Sequence, residues 1–125
     1  MSTVIHTDNA PKAIGPYSQA VKVNNLVFTS GQIPLLPETG EMVGETVSEQ
    51  THRVCKNLEE VLKAAGSSLD KAVKTTCYLN DMADFGEFNA VYSEYFTSKP
   101  ARSCVAVKSL PKGALVEIEV IAETE

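Results

Sequence analysis

The sequence predicts an α+β domain: a mixed β-sheet with two helices packed on one face. Three observations carry this. Runs of strand and helix periodicity follow one another in the order β, β-β, α, β, α, β-β, so each helix can cross over one face of a sheet. Two helical stretches are amphipathic, one from Thr46 to Ala65 and one from Phe85 to Phe96. The chain has 125 residues, 43 % hydrophobic and 22 % charged, which suits one domain with a core of its own, spanning 1–125.

Taken in order, Thr3 to Thr7 reads as a short strand, and Asn9 to Pro16, with two prolines and a glycine, as a loop. Tyr17–Val23 and Leu26–Ser30 form a β-hairpin about Asn24-Asn25, because asparagine tolerates positive φ. Pro34, Pro37, Gly40 and Gly44 mark an irregular connection. In the long helix Val47, Val54, Leu58, Val61, Leu62 and Ala65 recur on one side, and Gly66 supplies the stop. Ala72 to Asn80 is a strand with Val73, Thr75, Cys77 and Leu79 on one side. Asp81 to Asp84 caps the second helix, whose stripe of Phe85, Phe88, Tyr92, Tyr95 and Phe96 faces the core. Several strands carry apolar residues on both sides. A sheet covered by helices on one face only should be polar on the other, so the second face is expected to bury against copies of itself.

Charge and cysteine use exclude some classes. The net charge is -5 and the 11 basic residues are scattered, which disfavours nucleic acid and anionic membrane as partners. Cys55, Cys77 and Cys104 are odd in number and lack CxxC spacing, as for free thiols in a reducing compartment. The N-terminus lacks a basic region followed by an apolar one, and no apolar run approaches the ~18 residues of a membrane span. A cytoplasmic protein is expected. His6 and His52 have no serine partner by sequence, and zinc-ligand spacing is absent.

The chemistry concentrates near the C-terminus. Lys99-Pro100-Ala101-Arg102 begins as a turn and runs into a strand through Cys104 and Val107. An isolated arginine by a turn is usually a surface charge. At the start of a buried strand its planar fork needs an anion, and it grips a carboxylate bidentately as lysine cannot. After the turn at Pro111 and Gly113, Leu115–Ala122 alternates, with Val116, Ile118 and Val120 on one face and Glu117 and Glu119 on the other. The two strands are expected to pair as an antiparallel hairpin. With an even loop, Arg102 and Cys104 share the face of Glu117 and Glu119; an odd loop separates them.

Several blocks together resemble the RidA (YjgF-type) reactive-intermediate deaminases: Ala13-Ile14-Gly15-Pro16-Tyr17-Ser18, Ser30-Gly31-Gln32-Ile33-Pro34, Val73-Lys74-Thr75-Thr76, Phe88-Asn89-Ala90-Val91-Tyr92, Pro100-Ala101-Arg102-Ser103-Cys104-Val105 and Val116-Glu117-Ile118-Glu119-Val120-Ile121-Ala122. The resemblance implies a chorismate-mutase-like fold and a homotrimer with a central barrel and active sites between subunits. It implies hydrolysis of 2-imino acids and their enamine tautomers, such as 2-iminopropanoate and 2-iminobutanoate, to 2-keto acids and ammonia, without metal or organic cofactor. Carried over, Arg102 pairs with the substrate carboxylate and Glu117 orients or activates water, with Glu119 its rival on the same face. Tyr17 and Ser30 line the pocket, Gly31 offers a backbone N–H, and Asn89 and Cys104 complete the cleft. Relatives described as RNA-cleaving translation inhibitors or chaperone-like binders supply the alternative reading. A thiol such as Cys104 is ordinarily a small buried hydrophobe rather than a nucleophile.

Overall fold

The computed structural model describes residues 1–124. Six strands form one sheet: β1 (Ser2–Ile5), β2 (Ala20–Val23), β3 (Leu26–Thr29), β4 (Ala72–Leu79), β5 (Ala101–Ala106) and β6 (Val116–Glu123). Helix α1 (Val47–Ala64) follows β3, and α2 (Phe85–Tyr95) follows β4. The sheet order is β1-β2-β3-β6-β4-β5, antiparallel except for the parallel β4–β5 pair. Both helices contribute to a core on one face of this sheet, as the periodicities predict.

Local chemistry sets the boundaries of α1. Thr46 is its N-cap: its hydroxyl accepts from Glu49 N at 3.1 Å, and the Glu49 carboxylate accepts from Thr46 N at 3.1 Å, a complete capping box. At the other end Gly66 adopts φ +78°, which a Cβ would strain, and Ser67 N donates to Leu62 O at 2.8 Å to close the last turn. The predicted stripe Val47, Val54, Leu58, Val61, Leu62 and Ala65 is buried throughout. In α2, Phe88, Tyr92 and Phe96 are buried, while Phe85 and Tyr95 are only partly covered.

The strands depart from expectation in four places. β2 begins at Ala20, so Tyr17 lies in the preceding loop. The first strand is Ser2–Ile5 rather than Thr3 to Thr7. A register shift between Ala72 and Lys74 turns Val73 out, 40 % exposed, although Thr75, Cys77 and Leu79 point inward as predicted. The largest difference is that β5 and β6 do not form a hairpin. β4 lies between them, antiparallel to β6 and parallel to β5.

That insertion fixes the faces. Thr75 of β4 opposes Arg102 on one side and Val120 on the other, and Cys77 likewise opposes Cys104 and Ile118. Arg102 and Cys104 therefore lie on the helix-covered face with the core. Tyr78 opposes Glu117 and Thr76 opposes Glu119, so both carboxylates lie on the open face. The convergence of Arg102, Cys104 and Glu117 on one face does not occur within a chain. The open face also carries Val4, Phe28 and Val105, all exposed.

Candidate active site

The site residues expected from the sequence fall into two groups on opposite faces of the sheet. The first surrounds Arg102. Its Nη1 donates to Asn89 Oδ1 at 2.6 Å. Its guanidinium carbon lies 4.7 Å from the centroid of the Tyr92 ring and 5.5 Å from that of Phe85, within cation–π range. Tyr92 is itself fixed, by a 2.7 Å hydrogen bond to Thr75 Oγ1 and by stacking on Phe96 with centroids 4.4 Å apart. The fork is thus held by an amide and two rings that carry no opposing charge, and it borders a cavity of about 370 Å³ with Asn89, Ser93 and Lys99. Cys104 sits two residues further along β5, half-buried. Burial pushes its thiol pKa up, with the nearby Arg102 charge a smaller opposing effect, so the thiol stays protonated at neutral pH. Cys77 behind it is pushed up to about 12, mainly by burial.

The second group lines a cavity of about 700 Å³ that includes Tyr17, Ser30, Gly31, Glu117 and Glu119. Backbone pairing creates it. Gln32 N donates to Ile118 O at 2.9 Å and Ile118 N donates back to Gln32 O at 3.2 Å, which lays Ser30-Gly31 against Glu117. A Cβ at Gly31 would sit 2.7 Å from Glu117 Cδ, so only glycine admits the carboxylate here. Ser30 Oγ donates to Ser18 O at 2.6 Å, which leaves its lone pairs for a donor in the cavity. Burial is the main cause of the raised Glu117 carboxyl pKa, with the Glu119 charge second. A carboxylate of this kind accepts a proton from water more readily than an exposed one.

Some residues of this cavity escaped the sequence reading. Gln19 is buried and latches the N-terminal loop: its Oε1 accepts from Thr7 N at 2.7 Å, and its Nε2 donates to Thr7 O at 3.0 Å and Pro11 O at 2.8 Å. Lys12 and Lys112 stand at the wall, Lys112 with φ +57°. Loop residues carry no periodicity, so only the burial of a glutamine in a polar-rich loop marks Gln19. The aromatic cradle of Arg102 was legible as a core stripe, not as a cation seat. Among the described residues no group of three or more His, Cys, Asp or Glu side chains is gathered to hold a metal, and no helix is long and apolar enough to cross a membrane.

Fold and sites together define a small α+β protein with a held arginine fork on one sheet face and a half-buried carboxylate beside a glycine on the other. The chain belongs to the YjgF/RutC/RidA family: the family model described as endoribonuclease L-PSP matches residues 7–124. It is 56 % identical to a RutC family protein of Pyrococcus abyssi, covering 98 % of this chain and 97 % of that one. It is 52 % identical to the chloroplastic Reactive Intermediate Deaminase A of Arabidopsis thaliana, over 95 % of this chain and 64 % of the plant protein. Among solved structures it resembles E. coli TdcF with bound serine, with a TM-score of 0.92 and 42 % identity over 98 % of this chain and 99 % of that one.

Proposed function

We propose that this protein is a cofactor-free hydrolytic deaminase that converts 2-imino acids and their enamine tautomers, including 2-iminopropanoate and 2-iminobutanoate, to 2-keto acids and ammonia. One observation carries the reading: a guanidinium fork seated on two rings and a half-buried carboxylate lie on opposite faces of one sheet. Each is half of a site for a carboxylate-bearing electrophile, so a complete site needs a second copy. A homotrimer whose open sheet faces meet as a central barrel would supply it, with active sites between subunits; the exposed Val4, Phe28 and Val105 on that face support such packing. The plant relative named as a reactive intermediate deaminase and the TdcF structure with a bound amino acid support the substrate class.

In this reading Arg102 and Asn89 of one subunit hold the substrate carboxylate, with Cys104 in the cleft wall through its backbone carbonyl. Tyr17, Ser30 and the Gly31 N–H of another subunit enclose the rest, Ser30 accepting from the imine N–H. Glu117 takes a proton from water as the water oxygen bonds to the imine carbon. The C=N π pair becomes a nitrogen lone pair, which takes that proton from Glu117, giving a carbinolamine. The carbinol O–H proton then passes through Glu117 to nitrogen, the C–N bond breaks, and ammonia leaves as the carbinol oxygen becomes the keto oxygen and Glu117 is left ionised. Such positioning and general-base work contribute about 10²–10⁴-fold. The protein works as one domain in the cytoplasm.

The test generates the imine in situ with an amino acid oxidase or threonine dehydratase and traps what escapes with semicarbazide. Wild type is expected to suppress trapping, and Arg102→Ala and Glu117→Gln are each expected to fail. Mixed and reassembled, the two inactive variants are expected to regain activity, because some clefts join an intact fork to an intact carboxylate. No suppression by wild type across small and branched imines rejects the enzyme; no regain on mixing rejects the shared site. An RNA-cleaving reading, favoured by the family model's description, predicts instead a salt-sensitive nuclease indifferent to Arg102→Ala.

A further inference from the structure

We propose that Glu119, anchored by Tyr78, is a positioning residue that holds a fixed negative charge beside Glu117 and thereby sets the acid limit of the reaction. The proposal rests on the reading of Glu117 as the base, and adds a residue that acts through it.

Glu117 and Glu119 are two apart on β6, so their Cα atoms lie roughly 7 Å apart on the same face. Both line the one cavity beside Gly31. A free glutamate at such a position would swing its carboxylate into water, where salt screens it. Glu119 does not: Tyr78 Oη donates to its Oε1 at 2.8 Å. Tyr78 comes from β4 and is itself the register partner of Glu117, so its bond to Glu119 runs diagonally across the strand pair. The bond to Glu119, then burial, pushes the Tyr78 hydroxyl pKa up, so it remains a donor across the working pH range. The result is an anion tethered on the same face as the reacting carboxylate. Its charge opposes ionisation of Glu117 in the same sense as burial does.

The other groups around Glu117 do not replace this effect. From β4 they are Tyr78, Thr76 and Lys74, whose ammonium is turned to Ser103 Oγ at 3.4 Å. From the loops they are Tyr17, Lys12 and Lys112 at the cavity wall, whose positive charges favour the ionised carboxylate and so act in the opposite sense. Arg102 and Cys104 are on the far face of the sheet within the chain, and the Arg102 that a second copy would bring to the shared cleft acts in the same sense as the lysines. Glu119 is the one acidic side chain besides Glu117 among the residues lining this cavity.

Two measurements separate this proposal from the reading beneath it. The first is the pH profile of kcat/KM for 2-iminopropanoate hydrolysis. Glu119→Gln is expected to move the acid limb to lower pH; Glu119→Asp, which keeps the charge, is expected to leave it closer to wild type. Tyr78→Phe frees the Glu119 carboxylate to turn outward and is expected to shift the limb in the same direction as Glu119→Gln, by less. The second is a carbon-detected NMR titration of the Glu117 side-chain carboxyl, which needs no turnover. Its midpoint is expected to fall in Glu119→Gln. An unchanged midpoint in a folded Glu119→Gln variant overturns the proposal whether or not the protein hydrolyses imines. A shifted midpoint with no wild-type hydrolysis upholds the electrostatic pair and rejects the catalytic reading alone.

Discussion

Adding one methyl group at Gly31 tests the carboxylate half of the site directly. The Cβ of Gly31→Ala would lie 2.7 Å from Glu117 Cδ and 3.0 Å from Cγ, and closer still to Oε2. Carbon atoms pack at about 3.5–4.0 Å, so the carboxylate must retreat by about 1 Å. The backbone does not resist the change, because Gly31 is not among the glycines at positive φ. The fold should therefore keep its stability to within about 1 kcal/mol, with the smaller unfolded-state entropy of alanine working in its favour. Catalysis should not survive so well. A displacement of about 1 Å in a positioned group costs about 10²-fold, or about 2.7 kcal/mol of transition-state stabilisation. The assay is kcat/KM in the coupled imine competition, with urea melts run on the same samples. The double variant supplies the control: with Glu117→Gln already in place the alanine has no base to displace, so the second loss should be much smaller than the first. Wild-type kcat/KM in Gly31→Ala, or equal losses in both backgrounds, would refute the argument that this glycine exists to admit the carboxylate.

Other expectations follow from the same geometry. Arg102→Lys keeps the charge but loses the fork and its stacking on Tyr92 and Phe85; kcat/KM should fall by at least about tenfold with KM rising, measured over a range of imine concentrations. Glu117→Gln should stabilise the protein at neutral pH while lowering kcat/KM by about 10²–10⁴-fold, with a measurable residual rate. The raised carboxyl pKa means that ionisation costs folding energy: the cost is absent below the unfolded value of about 4.5 and complete once pH has passed the higher folded value. Thermal melts of wild type and variant should therefore converge in acid and separate as pH rises, and melts that stay parallel would contradict the burial argument. Thr46→Ala removes the capping box of α1 and should cost about 1 kcal/mol in urea denaturation, with unchanged activity.

Much of the fold was legible because helices announce themselves locally. The buried face of α1 recurs every three or four residues and Gly66 directly follows its last turn, and the structure keeps both. Strand partners are not local. The turn between Ala106 and Val116 looked like a hairpin connection because sequential strands usually pair. Nothing between those residues records that β4, some thirty residues earlier, takes the place between them. The cost of that gap fell on the site. Arg102 and Glu117 were each readable from residue type and setting, but their relative placement depends on the strand order, and the structure puts them on opposite faces. Gln19 stayed hidden for a related reason: its partners are backbone groups of Thr7 and Pro11, which leave no trace in side-chain patterns.

The central place of β6 has a consequence for how the chain is made. β1, β2 and β3 form one ladder and β4 with β5 another, and every strand bond between the two passes through Val116–Glu123. A ribosome delivers this segment after all the other elements. Until it emerges, the nascent chain holds two half-sheets with nothing to join them, each with an open edge that a neighbouring chain could occupy. Completion of the fold is therefore tied to the synthesis of β6, and the strand that closes the sheet is also the one that delivers Glu117.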